Sequence, residues 1–180
     1  MSKCTLPREF YIRSDVVQIA RELLGKFLMT RIRGIVTGGV IVETEAYGGA
    51  VDKASHAHGN CRTRRTESMF LLGGHAYVYF CYGVHDLFNV VTGKKDEAAA
   101  VLIRAVEPKE GVETMLKRRK MKKLEPRISA GPGTLTQALG ITRKHDRIDL
   151  LGDVAWIEDR GVTVSKNKIL ASPRVGVHYA

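Results

Sequence analysis

A chain of 180 residues can bury a hydrophobic core without disulfides or metal and is short for two ordinary domains, so one domain spanning 1–180 is expected. With 44% hydrophobic and 27% charged residues it is not a disordered polymer, and it lacks both an apolar run of about 18 residues and the apolar stretch of a secretory leader, so a soluble, intracellular protein without a membrane partner is expected. The balance of 29 Lys and Arg against 19 Asp and Glu gives +10, which points to a polyanionic partner, nucleic acid ahead of an anionic membrane surface.

In chain order, Ser14-Asp15 precedes Val16, Val17, Ile19, Ala20, Leu23 and Leu24 at helical spacing, with Gly25 as a stop, so an amphipathic helix is predicted near the start. Phe27 to Ile32 and Gly39 to Tyr47 are β-rich and separated by Arg33-Gly34, and read as paired strands. Residues 48–75 show little periodicity, and a connection of that length in a compact domain is usually functional. His75 to Tyr82 and Asp86 to Thr92 read as strands joined by a tight turn, and Ala98 to Val106 as another that ends at Glu107-Pro108. Lys109 to Lys123 reads as a helix carrying the densest basic cluster, for which a solvated helix end and direct nucleic-acid contact are both open. Gly131-Pro132-Gly133-Thr134 opens a short helix through Leu139 whose first amides could hold a phosphate, and Val154 to Ile157 and Arg174 to Val177 read as short strands. The expected class is α+β, a mainly antiparallel curved sheet with helices packed around it.

Several side chains could carry chemistry. Alternate strand residues share a face, so Glu43, Glu45 and Tyr47 point one way, the two carboxylates about 6–7 Å apart, a spacing that paired-acid glycosidases use and that exposed strand faces also show. Tyr77 and Tyr79 share a face in the same manner. Four of the six tyrosines lie between positions 47 and 82, among Arg62, Arg64 and Arg65, which suits bases stacking on rings while guanidiniums hold phosphate as well as it suits cross-strand packing. Asp52, His56 and His58 are possible metal ligands by type, but the sequence offers no evident third and fourth ligand of matching spacing. Cys4, Cys61 and Cys81 are odd in number and widely spaced, consistent with a reducing compartment.

Across residues 41–108 these pieces form an ordered series: Ile-Val-Glu-Thr-Glu-Ala-Tyr (41–47), Asp-Lys-Ala-Ser-His (52–56), Arg65-Thr66 with Met69-Phe70, Tyr-Val-Tyr-x-x-Tyr-Gly (77–83), Asn-Val-Val (89–91) and Ala-Val-Leu-Ile-Arg-Ala-x-Glu-Pro (100–108). The series resembles the alkyladenine-type 3-methyladenine DNA glycosylase family. Weaker matches at Glu110-Gly111, Gly131-Pro132-Gly133, residues 137–141 and Arg174-Val175-Gly176-Val177 extend the resemblance over nearly the whole chain.

The resemblance implies a monofunctional hydrolase, without metal or cofactor and acting as a monomer, that flips a damaged purine from double-stranded DNA and cleaves its N-glycosidic bond with water. It implies a protruding hairpin that enters DNA, and it separates Glu45, the water-activating base, from Glu43, a supporting residue. Arg104 and the Val175 backbone carbonyl would help orient the water; Tyr47, His56 and Tyr79 would sandwich the base; Asn89 would exclude normal guanine; Tyr82 would fill the gap in the duplex. Arg62, Arg65, Met69 and Arg143 are further expected DNA contacts. Departures from the family pattern are Thr134 in place of a common Lys, Arg64 in place of proline, Gly48 in place of a larger apolar residue and Val84-His85-Asp86 after the turn tyrosine; the pattern also implies a final strand beyond the point where this sequence stops. Three other classes are expected to differ by experiment: a damage-binding module without turnover, a metal-dependent hydrolase, and a lyase with a lysine nucleophile.

Overall fold

The computed structural model describes residues 4–177. The first regular element is a single turn, α1 (Arg8–Tyr11), followed by α2 (Val16–Leu23), whose N-terminus is capped by Asp15: its side chain accepts from the Gln18 amide at 2.9 Å. Ile19, Ala20 and Leu23 form the buried stripe of α2, and Gly25, at φ +85°, turns the chain into the sheet.

Six strands form one antiparallel sheet: β1 (Phe27–Ile32), β2 (Ile35–Tyr47), β3 (Ala76–Cys81), β4 (His85–Thr92), β5 (Ala99–Glu110) and β6 (Ala155–Glu158), in the order β3-β4-β5-β2-β1-β6. Both central strands are longer than the hydrophobic pattern predicts. β2 begins at Ile35, directly after the Arg33-Gly34 turn, and β5 runs through Pro108 to Glu110 instead of ending there. Pro108 is tolerated because it sits opposite Gly39 at a register shift, where no ladder donor is needed; a Cβ on Gly39 would lie 2.3 Å from the Glu107 carbonyl oxygen, so only glycine permits that approach. Two further shifts flank Glu43 and bend β2 just before Glu45.

Among the described residues, alternation along the strands buries three clusters, the smallest of them Phe27, Met29, Val40 and Trp156, and the other two frame the site. Ala76, Val78, Phe88, Val90, Val101 and Ile103 face the main core with α2, Met115 of α3 (Val112–Arg118) and Leu135, Ala138 and Leu139 of α4 (Pro132–Leu139). Tyr77, Val91 and Ala100 face the other side, where they join Ala57, Met69 and Phe70 from the 48–75 connection. That connection is therefore packed against the sheet, and its backbone is organised as three short 3₁₀ turns.

Three expectations are corrected. The helix predicted over Lys109–Lys123 is only Val112–Arg118, because its first residues belong to β5 and the Lys-rich tail has no apolar stripe to bury. Arg118 and Arg119 are not free surface cations: Arg118 donates to the Ala138 carbonyl at 3.0 Å and to Thr37 Oγ1, and Arg119 donates to the Ile128 and Arg127 carbonyls and to Gln137 Oε1. Arg174 to Val177 is not a strand; the chain there is irregular and crosses the end of β2. Among the described residues no helix is long and apolar enough to cross a membrane.

Candidate active site

The second sheet face carries a cavity of about 640 Å³. Glu45 and Tyr47 of β2, Tyr77 and Tyr79 of β3, Asn89 of β4 and Leu102 and Arg104 of β5 form its base. Its walls come from residues 54–56, from the start of α4 at Gly131–Thr134 and from residues 175–177. Gly133 lets α4 close against the hairpin: a Cβ there would meet His85 Cγ at 2.4 Å.

Glu45 is the most enclosed acid of the cavity, 7% exposed. Its Oε2 accepts from Tyr47 Oη at 2.8 Å; its Oε1 accepts from the Val175 amide at 2.9 Å and pairs with Arg104 Nη1 at 3.2 Å. A carboxylate has about four acceptor sites, so three donors fix its orientation and leave about one for a water or substrate proton. Arg104 is held in turn by Glu43, whose Oε1 accepts from Nε at 2.8 Å. The periodicity that made the two glutamates equivalent is thus resolved by environment: Glu43 is largely solvated, while Glu45 lies beneath the tyrosines. Burial and the Glu45 carboxylate push the Tyr47 phenol well above the usual range, so it remains a donor at neutral pH.

The aromatic wall is ordered. Tyr77 and Tyr79 stack at 5.2 Å between centroids, and the His56 ring stands edge-on to Tyr79 at 4.7 Å. Burial raises Tyr79 to about 12. His56 Nδ1 lies 2.9 Å from Tyr77 Oη and Nε2 lies 3.3 Å from Arg65 Nη2; because a guanidinium only donates, Nε2 accepts and Nδ1 carries the proton. Partial burial of the ring, and then the Arg65 charge, push His56 down to about 4, so it is neutral at pH 7. Arg65 also lies over the Tyr79 ring at 5.0 Å.

Asn89 sits in the cavity floor, 3% exposed, its Nδ2 donating to the Tyr77 carbonyl at 3.1 Å. Tyr82 is 96% exposed at the hairpin apex. There Tyr82 and Gly83 adopt φ +49° and +70° and the Val84 amide donates to the Cys81 carbonyl, as in a type I′ turn.

Of the residues singled out by sequence, Glu45, Tyr47, His56, Met69, Tyr79, Tyr82, Asn89, Arg104 and Val175 all line this cavity. Several sit differently from expectation. Met69 is 2% exposed and belongs to the buried cluster under Tyr77, so it supports the cavity floor from within and offers no outer surface to a DNA backbone. Val175 presents its amide to Glu45, where its carbonyl was the group expected. Arg62 is outside the cavity, over Phe70 and ion-paired with Glu67 and Asp96, and Arg143 packs at 4.0 Å over Phe80 while pairing with Asp86. Asp52, weighed as a metal ligand, accepts both Arg174 Nη1 at 2.5 Å and Nη2 at 2.9 Å, together with the amides of Gly48 and Ala54. Among the described residues no group of three or more His, Cys, Asp or Glu is placed to hold a metal ion. The sequence placed Arg174 in a family motif and a short strand but gave its side chain no role; its partner is 122 positions away, and no local pattern signals that pairing.

The cavity thus sets a carboxylate held by three donors beside a tyrosine-lined wall. The class becomes specific on comparison with known proteins: the family model for methylpurine-DNA glycosylase matches residues 9–180, and the chain belongs to that family, hydrolases of N-glycosyl bonds that act in DNA repair. The chain is 43% identical over 176 residues to a protein of Chlamydia felis, covering 97% of this chain and 89% of that one. Against a protein of Clostridium acetobutylicum it is 44% identical over 185 residues, 97% and 87% covered. A third relative, from Clostridium perfringens strain 13, is 43% identical over 183 residues, with 97% and 89% covered. All three carry 3-methyladenine DNA glycosylase as a provisional name.

Proposed function

We propose that this chain, acting as a monomer on duplex DNA, excises alkylated or deaminated purines, among them 3-methyladenine, 7-methylguanine, hypoxanthine and ethenoadenine, by a base-flipping hydrolysis in which Glu45 activates water. The observation that carries this is the Glu45 carboxylate, fixed by three donors with about one acceptor site left, in the base of the tyrosine-lined cavity. Flipping is needed because the glycosidic carbon cannot be reached by a positioned water inside the stack, at a cost of a few kcal/mol.

In this mechanism the flipped purine lies between Tyr47 on one side and His56 with Tyr79 on the other. Electron-poor and cationic bases gain most from π-faces, and a neutral His56 does not repel them. As the bond to the base lengthens, positive charge grows on the sugar; Glu45 takes the proton of the attacking water and stabilises that charge. Arg104, tied to both glutamates, keeps the carboxylate from rotating. Asn89, rigid on the Tyr77 carbonyl, crowds the exocyclic amine of normal guanine. Tyr82, on the exposed hairpin apex, enters the minor groove and replaces the lost stacking. Arg65 and Arg143, near the cavity and the hairpin, contact phosphates.

A single-turnover panel on one duplex carrying hypoxanthine, ethenoadenine or a methylated purine tests the proposal. Release of free base is expected, with full rate in EDTA and no covalent adduct on borohydride treatment. Tight binding without base release, loss of rate with chelator, or a trapped adduct would each replace the proposal with the binding, metal or lyase mechanism.

A further inference from the structure

We propose that Asp52 and Arg174 act as a positioning pair that sets the Val175 amide on Glu45 and thereby completes the base's hydrogen-bond shell, an inference that rests on the reading of Glu45 as the water-activating base.

Residues 159–177 contain no strand and no helix beyond the 3₁₀ turn Lys166–Lys168, so no regular ladder fixes the register of Val175. Between residues 170 and 177, the hydrogen bonds to the rest of the described chain are all made by the Arg174 guanidinium and the Val175 amide. The guanidinium makes three kinds of contact at once: it meets both oxygens of Asp52, donates to the Ala46 carbonyl at 3.1 Å, and lies over the Tyr47 ring at 4.8 Å. The next residue's amide then reaches Glu45 at 2.9 Å.

This is not an ordinary surface ion pair, whose partners remain solvated and free to separate. The Asp52 side chain is 13% exposed and that of Arg174 23%, and the pairing is bidentate, the geometry in which a guanidinium and a carboxylate fix each other's orientation. Asp52 is itself held by the Gly48 and Ala54 amides. Burial alone would raise its carboxyl; Arg174 and those two amides outweigh it and hold it below the ordinary range. Asp52 belongs to the connection that also carries His56, so one ion pair registers three parts of the cavity against one another: the His56 wall, the Tyr47 ring and the Glu45 carboxylate.

Misplacing a reacting group by about 1 Å can cost on the order of 100-fold in rate, so loss of this register should appear in the chemical step. Three variants, Arg174→Ala, Asp52→Asn and Asp52→Ala, are compared with wild type in single-turnover base release, alongside Arg174→Lys and the Asp52→Ala/Arg174→Ala double variant. The first three are expected to lose roughly 10- to 100-fold in rate constant while affinity for a duplex with an abasic analogue, which does not use the aromatic slot, changes little. Arg174→Lys should recover part of the rate, because it keeps the charge and one donor, and the double variant should be no slower than the slower single one. A purely structural ion pair would instead lower the melting temperature and the burst amplitude of Arg174→Ala and Asp52→Asn, leaving the rate constant within about twofold; that result, or multiplicative losses in the double variant, overturns the inference. Glu45→Gln run in parallel separates the two levels. If it retains activity, the base reading fails and this inference with it; if it is inactive while the Arg174 and Asp52 variants are wild-type-like, only the positioning role fails.

Discussion

Two glutamates two residues apart on one strand differ here through their neighbours. Glu43 remains in water with one guanidinium contact, whereas Glu45 is buried and meets a phenol, an amide and a guanidinium. Glu45→Gln keeps the shape of the side chain but cannot accept a proton as a carboxylate does. It should reduce base release by about 10²- to 10⁴-fold, the usual contribution of a general base, while binding to damaged duplex persists, as read by single-turnover kinetics and fluorescence anisotropy. His56 gives a second residue-level expectation. Its pKa lies below that of an unfolded histidine, at about 4, so the unfolded chain takes up the proton first as pH falls. Its contribution to stability is therefore complete above about 6.5 and is lost between about 6.5 and 4, in an amount reduced by the ring's partial contact with solvent. NMR titration should show the imidazole midpoint near 4, and that part of the pH dependence of melting should vanish in His56→Gln. A midpoint near 6.5 would mean that the ring is not held as described.

At the scale of elements, the β3–β4 hairpin combines a left-handed two-residue apex with a tyrosine that packs on nothing in the described chain, 96% exposed. An aromatic side chain so placed contributes little to folding, which makes its effect on binding separable. Tyr82→Ala should leave the melting temperature unchanged yet weaken the complex with a flipped abasic analogue by roughly 1–3 kcal/mol, one stacking interaction. Equal affinities would remove Tyr82 from the DNA contact. The β2–β5 pair shows how elements exceed what their composition suggests. Pro108 is a strand terminator on propensity grounds, but it faces the bulge at Gly39, where the missing N–H has no partner to lose, and the strand continues two residues further. Two separate register shifts flank Glu43 in the same strand pair.

At the scale of the molecule, the excess charge of +10 is distributed unequally in its duties. Arg118 and Arg119 in the densest basic run hold α3, α4 and the segment between them together, and Arg62 and Arg160 are committed to carboxylates, so the charge available to phosphates is smaller than the count suggests. Affinity for undamaged duplex should still fall steeply with salt, the slope of log K against log salt reporting about 0.9 per phosphate neutralised. Neutralising Arg65 or Arg143 should lower that slope by about one each, whereas Arg119→Gln should change melting temperature before it changes the slope.

What the sequence determined by itself was local or repeated at short range. The cap and stripe of α2, the alternating strands and the Gly-Pro-Gly start of α4 each lie within a few residues, where dihedral preference and hydrophobic period act directly, and the ordered motifs through residues 41–108 carried the resemblance to a family. The tertiary structure decided the rest. It gave Glu45 and Glu43, which the motif series had told apart, their different burial, carried β5 past its proline through a bulge on another strand, placed Met69 beneath the cavity, and joined Asp52 to an arginine 122 positions away. Each of those outcomes depends on which surfaces meet when the sheet closes against its helices and loops, and contacts between distant segments leave no periodicity in the chain that makes them.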